Sequence, residues 1–151
     1  MTAKPEFNYV TFIDAPREKV WQALTEPEFT KRYWFNSTVE SDWKEGSDYT
    51  FRVPDDKGGE RVVLTGKIIK VDKPKELVYQ FTAPWNEAAR DEDSTVQFLL
   101  EEIEGMTKLS VRHYDFQEGS ILIGEISSGW PMVLSGLKTL LESGKELNLS
   151  H

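Results

Sequence analysis

Residues 129–144 have the sequence GWPMVLSGLKTLLESG, and this stretch determines the architecture that we predict. Its apolar side chains recur at helical spacing and form one continuous stripe, made of Trp130, Val133, Leu134, Leu137, Leu140 and Leu141. Almost everything before it alternates as β-strands do, apart from a short segment after Pro16. We therefore predict an α+β fold in which a curved antiparallel sheet wraps around a long C-terminal helix.

Seven segments before this helix have the alternation and the β-branched or aromatic content of strands. They cover residues 7–13, 35–42, 49–53, 61–71, 77–81, 96–100 and 109–113. Two short helices are predicted after the first strand, one around Trp21 and one over residues 28–33, because Pro27 separates two helical patterns. Residues 117–128 fit either a loop or the first turns of the final helix, which Pro131 would then kink.

The composition indicates one folded domain over residues 1–151 that resides in the cytoplasm. Aromatic residues make up 12% of the chain, more than disordered chains contain. The net charge of −8 repels nucleic-acid backbones and anionic membranes, so we expect neither as a partner. The chain has no cysteine, which excludes disulfides and thiol nucleophiles and is typical of a reducing compartment.

Two connections have a distinct local character. The segment from Trp85 to Asp93 is polar and acidic, and we predict that it is a solvated, mobile loop. Gly66 interrupts the long fourth strand, where it is expected to mark a β-bulge. Neither feature carries a ligand-binding motif.

Several motifs, taken in order, resemble one known family. The first is DAPREKVWQALTEPE at residues 14–28, which leads to the aromatic pair Tyr33-Trp34. The others are Gly66 followed by Lys73-Pro74, LVY at 77–79, FLLE at 98–101, LSVRH at 109–113 and GWP at 129–131. Together they resemble the SRPBCC superfamily (START-like or Bet v 1-like) and, within it, the family of activators of heat-shock protein 90 ATPase and their homologues.

The resemblance implies the helix-grip fold, with two short helices after the first strand. Relatives include a co-chaperone domain, and other members of the superfamily bind lipids, hormones or polyketides. The resemblance therefore implies two kinds of partner for this chain, a hydrophobic small molecule or a chaperone. Shared fold does not by itself give shared function.

In-phase positions on the predicted strands and helix would face a cavity between sheet and helix. The predicted lining consists of Tyr9, Phe35, Tyr49, Phe51, Tyr79, Phe81, Phe98, Val111, His113, Trp130, Leu134 and Leu137. Aromatic side chains bury roughly 150–250 Å² each, so they could fill the space themselves. An open cavity and a filled core therefore both remain alternatives. Trp34, Phe35 and Trp85 lie on predicted connections, where they would guard an entrance.

His113 is in phase with Leu109 and Val111 and should face the interior. It would serve either as a proton-transfer group or ligand anchor, or as a core histidine bonded to a neighbouring hydroxyl or carbonyl. We favour the core histidine, because no carboxylate or nucleophile stands at a fixed spacing from it. An enzyme using His113 would need Tyr9 or Tyr79 within hydrogen-bond reach.

Other signatures of chemistry are missing from the sequence. One internal histidine without cysteine cannot build a zinc site. Ser128 lacks the G-x-S-x-G context of a nucleophile and is interpreted as a helix N-cap or turn residue, and Gly58-Gly59 lacks the Lys-Ser/Thr of a phosphate loop. We therefore predict no catalytic residue, no metal and no cofactor.

Non-catalytic binding of a hydrophobic or amphipathic small molecule in the cavity is our leading hypothesis. The second is a protein-interaction module that acts as a cofactor of the heat-shock protein 90 ATPase. The third is a cyclase- or hydrolase-like enzyme that uses His113. The ligand and the oligomeric state are not specified by the sequence pattern.

Overall fold

The computed structural model describes residues 5–85 and 87–147, which contain a seven-stranded antiparallel sheet and three α-helices. The elements in chain order are β1 (Phe7–Ile13), α1 (Arg17–Thr25), α2 (Pro27–Tyr33), β2 (Thr38–Ser41), β3 (Asp48–Pro54), β4 (Glu60–Asp72), β5 (Glu76–Thr82), β6 (Asp93–Ile103), β7 (Met106–Tyr114) and α3 (Leu122–Ser143). The strand order across the sheet is β1-β7-β6-β5-β4-β3-β2. This curved sheet around a long final helix confirms the predicted helix-grip fold.

All seven predicted strands are present, and most extend slightly beyond their predicted limits because the ladders continue into flanking polar residues. The second strand is shorter than predicted, since it begins at Thr38 rather than at Phe35. Phe35 and Asn36 have φ angles of 49° and 57°, in the left-handed region that a strand cannot use. The chain therefore turns at these two residues, which leaves the Phe35 side chain exposed at the end of the sheet.

Helix α3 supplies the main cover of the concave face of the sheet. It begins at Leu122, so Ser128 lies inside the helix and not at its N-cap, and Pro131 is accommodated within it. The helix ends where Gly144, with φ at 75°, donates its amide to the carbonyl of Leu140. The predicted apolar stripe is buried except for Leu141, which is half-buried. None of the helices in the described residues has the length and apolar character that crossing a bilayer requires.

The segment between β5 and β6 contributes to the core, so the prediction of a solvated loop is wrong at two of its residues. A short 3-10 turn at Glu87–Ala89 buries Ala89 completely, and the Glu92 side chain is buried as well. The Glu92 carboxylate accepts hydrogen bonds from the Ser120 hydroxyl and from the Ile121 amide, at 2.5 and 3.0 Å. The carboxylate thus satisfies one backbone amide at the start of α3 and complements the helix dipole.

Gly66 marks a close approach of two backbones and not a bulge. A Cβ atom at this position would lie 2.2 Å from the carbonyl oxygen of Gln80 on β5, which only glycine avoids. The same carbonyl accepts a 2.6 Å hydrogen bond from the Tyr49 hydroxyl. The register shifts of β4 lie elsewhere, opposite the Phe51/Arg52 step of β3 and between Ile68 and Lys70.

Candidate ligand-binding cavity

A cavity of about 440 Å³ lies between α3 and one end of the concave face. Its walls come from β3, β4, β5, the connections between α2 and β2 and between β5 and β6, and the first half of α3. It is lined by Trp34, Phe35, Ser37, Phe51, Val53, Arg61, Val63, Leu64, Phe81, Trp85, Glu125, Ile126, Ser128, Gly129, Trp130, Met132 and Val133. Both the size and the predominantly apolar lining are typical of small-molecule sites, which measure roughly 300–1,000 Å³.

Aromatic rings in mutual contact form the inner wall of this cavity. The Trp34 ring lies 4.5 Å from the Phe51 ring and 5.4 Å from the Trp130 ring, between centroids, and Phe81 lies 6.2 Å from Trp130. Tilted and edge-on rings at these distances have favourable quadrupole interactions, so they hold one another in place. The wall is therefore fixed before any guest arrives and offers flat apolar faces.

The mouth of the cavity is exposed and apolar on two sides. The Phe35 side chain is 44% exposed and the Trp85 side chain 45% exposed, unusual values for large aromatic residues. The left-handed backbone at Phe35 places this ring at the rim, and the Trp85 ring stands edge-on to Phe81, 6.0 Å away. Left-handed backbone at a non-glycine residue is strained, and such strain is concentrated at functional sites.

His113 lies behind the aromatic wall and holds Trp130 in place. The Trp130 indole N–H donates to His113 Nδ1 at 3.0 Å, so that nitrogen carries no proton. The proton of the neutral ring is therefore on Nε2, which donates to the Ser94 hydroxyl at 2.7 Å, and that hydroxyl donates in turn to the Phe81 carbonyl. Burial lowers the pKa of His113 to about 3 and keeps the ring neutral at neutral pH.

These contacts confirm that His113 is a core histidine. Its ring is fully buried, packs against Phe81 and Phe116, and does not border the cavity. Its hydrogen-bond partners within the described residues are Ser94 and Trp130, so neither tyrosine required by the enzyme hypothesis reaches it. Nor do three or more acidic or histidine side chains come together as a possible metal site in residues 5–85 and 87–147.

Of the twelve residues predicted to line the cavity, Phe35, Phe51, Phe81 and Trp130 do line it. Tyr9 is half-buried on β1, away from the cavity. The other seven fill the core, namely Tyr49, Tyr79, Phe98, Val111, His113, Leu134 and Leu137. Phase along a strand identifies the inner face, but it does not tell which end of that face is packed. Side chains fill the concave face around β1, β6 and β7, whereas the cavity lies at β3 and β4. Contact between a ligand and any of the twelve residues stays a prediction.

The polar residues of the lining do not follow from the alternation of the strands, and Arg61 shows why. Phe51 pairs with Leu64 but Arg52 pairs with Val62, so Val63 is an extra residue on β4. Without this bulge, strict alternation from Leu64 would turn Arg61 to the outer face of the sheet. The bulge reverses the alternation and brings Arg61 to the cavity. No residue in the sequence marks this bulge.

Comparisons with known proteins agree with the fold. The family model described as "Activator of Hsp90 ATPase homolog 1-like protein" matches residues 14–142. The solution structure of a protein from Cytophaga hutchinsonii is similar with a TM-score of 0.74 and 29% identity, over 95% of this chain and 98% of that one. The Aha1 dimer from Colwellia psychrerythraea gives a TM-score of 0.70 and 26% identity, over 93% and 98%.

A further solved structure, an HSP90 activator from Plasmodium falciparum, has a TM-score of 0.71 over 90% of this chain and 95% of its own. At 22% identity this likeness shows the fold alone. Among curated protein sequences, none matches the chain.

Proposed function

The chain belongs to the family of activator of Hsp90 ATPase homologue 1-like proteins, and within that family we propose that it binds a hydrophobic or amphipathic small molecule without transforming it. The cavity under α3 is the observation that carries this proposal. Its volume of about 440 Å³ accommodates a guest of two or three fused or linked rings. Apolar area removed from water contributes about 25 cal/mol per Å², which is the main source of affinity in such a site.

The non-catalytic part of the proposal is supported by the chemistry of the lining. Acid–base catalysis needs a group that titrates near the working pH and reaches the guest. His113 is neutral and separated from the cavity by the Trp130 indole. Ser128 borders the cavity, but no histidine lies among the described lining residues to activate it.

A blocking variant with a matched control tests the proposal. Gly129 lies in the cavity wall and Gly124 on the exposed side of the same helix, and a Cβ atom at either position meets nothing within 4 Å. The guest is the neutral dye N-phenyl-1-naphthylamine, whose fluorescence rises in apolar surroundings. We expect the wild type and Gly124→Phe to bind it alike, and Gly129→Phe to bind it at least about tenfold more weakly because the new ring occupies the cavity.

Two results would contradict the proposal. The first is that the wild-type protein, shown to be folded by circular dichroism, does not bind the dye. The second is that Gly129→Phe binds the dye as tightly as Gly124→Phe does, which would mean that the dye binds outside the cavity. Gly129→Ala serves as an additional reference, since it changes the helix propensity by about 1 kcal/mol without filling the cavity.

A second candidate function is cofactor activity toward a chaperone ATPase. The family supports it, and so does one surface feature, the exposed apolar pair Val10 and Phe12 on the edge strand β1. These side chains are 51% and 45% exposed. Edge strands with exposed apolar residues are typical of protein-binding surfaces.

The ATPase rate of a purified heat-shock protein 90 tests this second function. We expect the chain to raise the rate and the double change Val10→Ser with Phe12→Ser to abolish the increase. Ile69→Ser, which removes a similarly exposed side chain from β4, should leave the increase intact. An unchanged ATPase rate with wild-type protein would rule the function out for that chaperone.

A further inference from the structure

We propose that the guest of the cavity is an amphiphile with an apolar, ring-containing body and an anionic head, and that the Arg61 guanidinium binds the head at the mouth. This inference rests on the proposed function and specifies the chemical class of the guest. It assigns to Arg61 a binding role that follows from the bulge in β4.

The bulge in β4 determines which side chain faces the cavity at this point of the strand. It places Arg61 opposite Val53 and aims both residues at the cavity, where an unbulged strand would present Val62. Bulges commonly re-aim a single side chain next to a binding site.

The Arg61 guanidinium makes no hydrogen bond or ion pair within the described part of the chain. Arg112 offers the contrast, because on the outer face of the sheet it forms a bidentate pair with Glu6. A guanidinium presents five donors in a planar fork that matches carboxylate, sulfonate or phosphate oxygens. The fork of Arg61 is thus available to an anion from outside the chain.

The charges around the cavity are few, and they favour an anion on one side of the mouth. Among the described lining residues, Arg61 is the single cation and Glu125 the single anion. Glu125 lies on α3 and is already engaged in an interaction within the chain. An anionic head therefore has one favourable site, at the β4 side of the mouth, while the ring body lies against Trp130 and Phe51. The net charge of −8 disfavours anions over the surface as a whole, so a local cation is needed to offset it where an anionic head binds.

Two dyes with a common body separate the head from the body. N-phenyl-1-naphthylamine is neutral, and 8-anilino-1-naphthalenesulfonate is the same ring system with a sulfonate. We expect Arg61→Gln to weaken binding of the sulfonate dye by about tenfold or more and to leave the affinity for the neutral dye unchanged. Added salt should weaken binding of the sulfonate dye to the wild type and have less effect on Arg61→Gln.

Arg52→Gln is the matched control, because it removes the same charge from the neighbouring strand at a residue outside the cavity lining. It should leave both affinities within about twofold of the wild type. Both variants should have the same melting temperature as the wild type, since neither side chain is buried. Arg61→Lys should restore part of the lost sulfonate affinity, because the charge returns without the fork.

The outcomes distinguish this inference from the proposed function. If Arg61→Gln binds each dye with the same affinity as the wild type does, the role of Arg61 is overturned and the cavity proposal stands. Equal losses in Arg61→Gln and Arg52→Gln would reduce the effect to overall charge and would also overturn it. Failure of the neutral dye to bind the wild type would instead overturn the proposed function.

Discussion

The two ends of the concave face are built from similar residues, but one end is filled by side chains and the other encloses a cavity. At the packed end, around β6 and β7, the side chains of Phe98, Val111 and His113 fill the space under α3. At the open end, around β3 and β4, comparable aromatic residues line a cavity. The open end contains two backbone irregularities that shape the cavity, the bulge in β4 at Val63 and the left-handed turn at Phe35.

Trp130 belongs to both ends and connects them. Its indole N–H is bonded to His113 in the packed end, and its ring faces the cavity together with Trp34. The packed end therefore fixes the orientation of the main wall of the open end. We infer that side chains of the packed end determine stability, whereas those of the open end determine affinity.

The largest expected effect is that of Trp130→Ala on stability. Truncating a buried aromatic side chain costs about 3–5 kcal/mol, a large part of the 5–15 kcal/mol typical of a domain. The variant should therefore unfold at much lower urea than the wild type or fail to fold. An unchanged urea midpoint would show that Trp130 does not join the two ends.

The next effect is a pH dependence that arises from His113. Its pKa falls from 6.5 to about 3 on folding because the ring is buried, so the unfolded chain takes up the proton first. The free energy of unfolding is therefore unaffected by His113 above pH 6.5. It decreases as the pH falls toward 3, by up to about 1.4 kcal/mol per pH unit. His113→Gln should remove this part of the slope in urea unfolding measured between pH 7 and pH 4. Parallel slopes in both proteins would mean that His113 is accessible to protons in the folded state.

A smaller loss is expected at the start of α3. Glu92→Ala removes the acceptor for Ser120 and for the Ile121 amide, and the loss of such a cap costs about 1–2 kcal/mol. Asp91→Ala, an exposed neighbour, is the control and should stay within about 0.5 kcal/mol of the wild type. Thermal melting of the two variants measures this difference. Equal melting temperatures would indicate that the segment between β5 and β6 is a solvated loop after all.

The smallest effect on stability is expected at the rim of the cavity. Phe35→Gly removes an exposed ring and relieves the positive φ angle, so the free energy of unfolding should stay constant or rise by about 1 kcal/mol. The affinity for N-phenyl-1-naphthylamine should fall at the same time. A variant that loses stability while it keeps its affinity would place Phe35 with the packed end.

The sequence contained enough information for the fold and for part of the cavity. Alternation and helical spacing identified every strand, and the stripe from Trp130 to Leu140 identified the covering helix. The position of Arg61 at the cavity could not be predicted, because a one-residue bulge reverses the alternation and no sequence motif marks it. Glu92 was missed for a similar reason, since its partners Ser120 and Ile121 are distant along the chain and only the fold brings them together.

Direct observation of a bound guest tests the central claim, that the open end of the concave face is the binding site. In a complex with N-phenyl-1-naphthylamine, intermolecular nuclear Overhauser effects should connect the dye to the methyl groups of Val53, Val63, Met132 and Val133, which line the cavity. Contacts to Val10 or Ile69 instead, whose side chains are exposed outside the cavity, would contradict the account, and so would the absence of a complex with folded protein.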